Sequence, residues 1–165
     1  MRWRAQLPLM LLLAVAEPAA AVTQNASVNA NVIKPLTLTA VQNLDLGTIT
    51  LAPGTWSGAT VGISRTGVVS CSADLICTGA PLVARFNVTG TNKMVVMITA
   101  PDVTLVNQND ASQKLTLKID SPGQVQLTSS GAPGSNFDLG GSLTLSSTTE
   151  AGVYSGTIQV TVDYQ

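Results

Sequence analysis

The last stretch of the chain, Val153 to Gln165 (V-Y-S-G-T-I-Q-V-T-V-D-Y-Q), limits the fold more than any other. Gly156, Ile158, Val160, Val162 and Tyr164 share one parity, and Ser155, Thr157, Gln159, Thr161 and Asp163 share the other. This is the period-two pattern of a half-buried β-strand. Burial of Ile158, Val160, Val162 and Tyr164 is worth roughly 1.5–3 kcal/mol each, against about 1–2 kcal/mol of backbone entropy for every residue fixed. Such a strand cannot stand alone. It needs sheet neighbours for its backbone groups and a second layer over its apolar face, which predicts a sandwich closed around the C-terminus.

Composition supports that class. Hydrophobic residues reach 45% while charged residues are only 10%, leaving too little Glu, Lys and Arg to populate solvent-facing helices. A length of 165 residues suits one domain with a real core. The net charge of -1 offers no footprint for nucleic acid or an anionic membrane.

The N-terminus reads as an export signal. Arg2 and Arg4 precede the apolar run Leu7 to Ala16 and then Ala19-Ala20-Ala21, an A-x-A pattern that predicts a signal peptide over residues 1–21, with 22–165 as a single domain. The run is well short of the roughly 20 residues needed to span a bilayer, so a retained anchor is disfavoured. No Cys follows the cleavage site to carry a bacterial lipid anchor. The mature chain is expected to be soluble and exported, to the periplasm, the cell surface or the medium, with no membrane anchor after signal removal.

Cys71 and Cys77 are the only cysteines. In an oxidising compartment they are expected to pair and pin a turn. A metal site would need further soft ligands where no His exists, and a redox pair usually has the tighter C-x-x-C spacing.

Alternation recurs along the chain. Val22, Ala26, Val28, Ala30 and Val32 share a parity, interrupted only by Gln24, until Pro35 marks a bend or edge. Leu36, Leu38 and Ala40 resume it, and Leu44 to Ile49 gives the next strand. Val61 and Ile63 precede the Cys loop, and Leu82, Ala84, Phe86 and Val88 line one face of a clear strand. Met94 to Ile98 is apolar on both parities, which predicts a strand covered on both faces. Further strands are expected at Val103–Leu105, Leu115–Ile119, Val125–Leu127 and Leu143–Leu145, with Gly131 to Ser135 as an irregular loop. No helical period appears beyond the signal. The predicted class is all-β, an immunoglobulin-like antiparallel β-sandwich of roughly ten short strands.

Without His, Ser-His-Asp and Cys-His arrangements and His-based zinc sites cannot be built. The scattered carboxylates would form a glycosidase pair only if the fold assembled one. Asn107, Asn109 and Asp110 offer oxygen ligands for Ca²⁺ but lack the acidic spacing of an EF-hand, so a solvated turn is favoured. Asn25-Ala26-Ser27 and Asn87-Val88-Thr89 match the N-glycosylation pattern and read as incidental in a Thr/Ser-rich chain. Trp56 either stacks against sugar or covers the end of a core. The expectation is a non-enzyme without cofactor or metal.

The blocks Gly140-Gly141-Ser142-Leu143-Thr144-Leu145 and Ala151-Gly152-Val153-Tyr154-Ser155-Gly156-Thr157-Ile158-Gln159-Val160-Thr161-Val162-Asp163-Tyr164 resemble the ending of the bacterial secreted domain-of-unknown-function family 4402. Asn31 to Leu38 and Leu44 to Ile49 look like that family's N-terminal block, and Cys71/Cys77 departs from it. The same ending is similar to pilin subunits of the chaperone–usher class, which carry a penultimate Tyr and a Gly upstream of the last strand; Tyr164 and Gly152 occupy those places. That resemblance implies a pilin-like fold with a groove left by a missing strand, filled by a periplasmic chaperone or by an extension from an identical or related subunit. Residues 22–33 would then be the donor, presenting Val22, Ala26, Val28, Ala30 and Val32, with Gly152, Gly156, Ile158, Val160, Val162 and Tyr164 on the accepting side. Otherwise the same residues form an ordinary first strand. The expected function is a fimbrial, pilin-like or cell-surface structural subunit, with a secreted carbohydrate-binding or adhesive module using Trp56 as the alternative.

Overall fold

In a computed structural model, which describes residues 21–165, every regular element is a β-strand: thirteen strands among the described residues, all paired antiparallel. The expected signal peptide falls almost entirely outside the described residues. Residues 22–33 form no strand, and Val22, Val28 and Val32 are 81%, 91% and 87% exposed. Residues 32–165 form one unit and are described by themselves.

The strands are β1 (Thr37–Gln42), β2 (Thr48–Leu51), β3 (Ser57–Ile63), β4 (Val69–Cys71), β5 (Leu75–Thr78), β6 (Ala84–Thr89) and β7 (Val95–Thr99). They continue with β8 (Val103–Asn107), β9 (Lys114–Asp120), β10 (Gln124–Gln126), β11 (Ser135–Ser146), β12 (Tyr154–Ser155) and β13 (Thr161–Tyr164). The largest sheet runs β1-β6-β11-β9-β8-β12, with β3 on β11 and β4 on β3. A second sheet is β10-β7-β13, and β2 and β5 make a small third one. The β-sandwich class read from the alternation is the one observed.

The organising strand is β11, twelve residues long. Its buried residues Ser135, Phe137, Leu139, Gly141, Leu143 and Leu145 keep one parity, and on the other parity only Gly140 is buried. Its partner changes midway. Ser135–Leu139 pair with β6, whereas Gly140–Ser146 pair with β9 and β3. The change falls at Gly140, where any Cβ would run into the backbone of Ile63, Ser64 and Arg65, so only glycine lets that chain cross so closely. Each half of β11 therefore serves a different core. Phe137 and Leu139 pack with Ala84, Val88, Val96, Ile98 and Leu127, and Leu143 and Leu145 pack with Ala59, Val61, Leu75, Val103 and Leu117. Ile158, Leu44 and Ile119 touch both.

Several sequence expectations need correction. The final strand is not continuous: it is β12 and β13, separated by residues 156–160 without ladder pairing. Gly131–Ser135 was expected to be a loop, yet Ser135 already belongs to β11, because the ladder with β6 begins at Ser135↔Val88. The Cys loop contains strand β5, which was too short to show a period. Strand β7 is central in its sheet, with Val96 and Ile98 buried, but Met97 is 44% exposed, so its second face is not covered.

Candidate functional site

The C-terminal alternation points Ile158, Val160, Val162 and Tyr164 inward to partial burial, with Thr157, Gln159, Thr161 and Asp163 exposed. Over β13 the backbone is paired with β7, Val162 opposite Ile98 and Tyr164 opposite Val96. Tyr164 closes that end: its hydroxyl donates to the Lys34 carbonyl at 2.7 Å and accepts from the Thr91 N–H at 2.7 Å. Upstream, Tyr154 and Ser155 pair with Asn107 and Val106. Between these anchors, no backbone–backbone hydrogen bond joins residues 156–160 to any other described residue. An extended backbone with free N–H and C=O groups is a template for another strand.

The first part of that stretch, Gly156 to Ile158, borders a groove of about 1130 Å³. One wall is residues 42–51, including β2; the other is residues 149–158. The floor is Leu105, Leu115, Leu117, Leu143 and Leu145. Strand β2 pairs on one side only, with β5, and Leu44, Leu46, Ile49 and Leu51 on this wall are only partly buried. The volume exceeds the roughly 300–1,000 Å³ of small-molecule pockets, and its long walls suit an extended segment.

A buried Asn fixes the groove's end. Asn107 donates from its amide nitrogen to the Ala151 carbonyl at 3.2 Å and accepts the Asn109 N–H at 2.9 Å. Gly152 lies against that amide so closely that a Cβ would overlap it. Gly156 is exposed on the groove wall. Of the residues named from sequence, Gly152, Gly156 and Ile158 line the groove, whereas Val160, Val162 and Tyr164 pack against the neighbouring core. Val22, Ala26, Val28, Ala30 and Val32 are exposed and lie in no strand. Sequence reasoning missed the residue 42–51 wall and the leucine floor; the alternation of Leu44, Leu46 and Ile49 was the available signal.

The other residues singled out are engaged locally. Cys71 and Cys77 form a disulfide. Trp56 is half-buried against the Leu143/Leu145 core, with its indole N–H donating to the Ala52 carbonyl at 2.9 Å. Asp110 accepts the Ser112 N–H at 2.9 Å, and its carboxyl is held below the ordinary value by hydrogen bonds from the Ser112 side chain and backbone. The Asn87 amide donates to Pro133 and Asn136 oxygens. A smaller cleft of about 470 Å³ lies beside Arg65 and Arg85, whose guanidinium groups are held by Asp120 and Asp138 at 2.7 Å each. The Asp138 hydrogen bonds and charge raise the Arg85 pKa further.

No helix among the described residues is long and apolar enough to cross a membrane. The disulfide is compatible with an exported protein. Searches of curated proteins and of solved structures each returned no match. The model of one family, Domain of unknown function (DUF4402), matches residues 36–164, a span that runs from just before β1 to Tyr164 and takes in both walls of the groove, and the chain belongs to that family.

Proposed function

We propose that this chain is a non-catalytic, exported structural subunit, fimbrial or displayed at the cell surface, which assembles by β-strand pairing. Residues 22–33 of one copy occupy the groove of the next. The observation that carries this reading is the unpaired backbone of residues 156–160, whose first part, Gly156 to Ile158, lies along an apolar groove. An inserted strand satisfies those backbone groups and covers the leucine floor, so main-chain bonds supply affinity and alternate side chains fix register. Val22, Ala26, Val28, Ala30 and Val32 supply the alternation, unpaired in their own chain. Before assembly, a periplasmic chaperone would shield the same edge. Export is supported by the N-terminal charge and apolar pattern and by the disulfide.

The test is deletion of residues 22–33, with assembly followed by sedimentation velocity and electron microscopy. The intact protein is expected to form linear oligomers and the deletion variant to remain monomeric. Equal polymerisation by both would overturn the reading.

A further inference from the structure

The groove wall contributed by β2 packs Ile49 and Leu51 against the Leu143/Leu145 core, but its only ladder partner is β5. Strands β2 and β5 form a sheet of their own, joined to the large sheet by no ladder. In their register Ile49, on the groove wall, lies opposite Cys77. Cys77 is bonded to Cys71, and Cys71 lies opposite Val61 in the β3–β4 ladder. Val61 in turn faces Leu143 on β11, a residue of the groove floor. A covalent link therefore runs between the strand beside the wall and the sheet that carries the floor. Besides the packing of Leu75, Ile49 and Leu51 on the core, the ties include the turn bond from Leu75 N–H to the Ser72 carbonyl, the bond from Ala52 N–H to the Asp74 carbonyl, the Trp56 indole bond to the Ala52 carbonyl and the isolated bridge Asp45↔Leu82. None of these fixes the far end of β5, at Cys77 and Thr78, against β4.

We infer that the Cys71–Cys77 disulfide positions the β2 wall for strand acceptance, so that the groove is competent only in the oxidised chain. This rests on the strand-acceptor reading above. Oxidation transfers two electrons and two protons from the paired thiols to a disulfide oxidant, which leaves as its dithiol. Acceptance is thereby confined to an oxidising compartment. Reduced, β5 retains its neighbours but not its angle to β4, and the wall opens. Strand pairing needs a fixed width between walls, because strands lie about 4.7–4.9 Å apart in the hydrogen-bonding direction.

The experiment uses the chain lacking residues 22–33, whose groove no neighbouring copy can fill and whose residues 34–165 lie in one compact unit, and a fluorescein-labelled peptide of residues 22–33, with affinity read by anisotropy in oxidised, dithiothreitol-reduced and re-oxidised protein. Circular dichroism confirms that each sample is folded. The expected result is binding by the oxidised chain, affinity about tenfold or more weaker after reduction, because a displaced wall forfeits main-chain hydrogen bonds to the inserted strand, and recovery on re-oxidation. A loss of stability alone would not lower the affinity of molecules that remain folded. Equal affinity in folded reduced and oxidised protein overturns this inference and leaves the acceptor reading intact. Failure of the oxidised chain to bind overturns both. Should reduction unfold the protein, C71S/C77S is examined by hydrogen exchange. Faster exchange confined to Thr48–Leu51 and Leu75–Thr78 supports the positioning role, and unchanged protection there overturns it.

Discussion

The two cores of this sandwich share a central strand and differ in how they are finished. Around Phe137 and Leu139, the chain closes on itself: Val88, Val96 and Leu139 have no exposed surface, β13 is laddered to β7, and Tyr164 bonds Lys34 and Thr91 across the end. Around Leu143 and Leu145 the buried residues are surrounded by Leu44, Leu46, Ile49, Leu51, Leu105 and Leu115, all only partly covered. The same terminal segment is paired in the first region and unpaired over residues 156–160 in the second. An incomplete layer beside a complete one, in one sheet system, is the place the proposed strand would fill. On that proposal the contrast also separates the residues that hold the fold from those that would take a partner.

The contrast is first broken or upheld by truncating one leucine on each side. Leu139→Ala, fully enclosed, should cost about 2–5 kcal/mol in urea unfolding. Leu115→Ala, on the groove floor, should cost roughly half as much, because its side chain gives up less burial. Equal losses would mean that the open core is as well packed as the closed one. Proline sharpens the comparison along the terminal segment. Asp163→Pro lies in a strand laddered to β7, on the parity whose N–H groups face it, as does the Gln165 N–H bonded to the Val95 carbonyl, and is expected to cost about 1–3 kcal/mol by orphaning a partner. Thr157→Pro, on the groove wall, removes an N–H that bonds to no described backbone group and should change stability by under about 1 kcal/mol, while weakening strand acceptance.

The smallest effect is acid loosening of the open end. The Asp110 carboxyl is held below its ordinary value by Ser112, so its contribution is present above the unfolded value of about 4 and is lost as pH falls through the depressed folded value. The protection factor of the Ser112 amide, which donates to the Asp110 carboxyl, should fall on acidification below about pH 4, with that of Val88 unaffected. A fall at Val88 first would reverse the order of the two regions.

Much of the sandwich was legible because its strands are one-sided. Val160, Val162 and Tyr164 fall inward as their parity dictates, and so do Ala84 and Val88. Strand β11 was only half visible. Its parity runs unbroken from Ser135 to Leu145, but Gly140 and Gly141 read locally as a break, and their purpose, close passage of the Ile63–Arg65 backbone and the Leu117 side chain, depends on residues far away in sequence. Strand β5 supplies only Leu75 and Cys77 to its inner face, too few to establish a period. The terminal segment was legible as a strand and illegible as an interrupted one, since alternation reports which side chains turn inward and not whether a neighbour is present. The groove joins segments 42–51, 105–117 and 143–158, which no local window contains.

The late position of β11 has a consequence for biogenesis. Strands β3, β6 and β9 each take one neighbour from it, so during synthesis they wait for a seam that emerges only after residue 134. Until then the nascent polypeptide holds hairpins but cannot join its two cores. A chain whose keystone arrives near the end of translation stays threadable for most of its synthesis, the condition in which a translocation channel can take it.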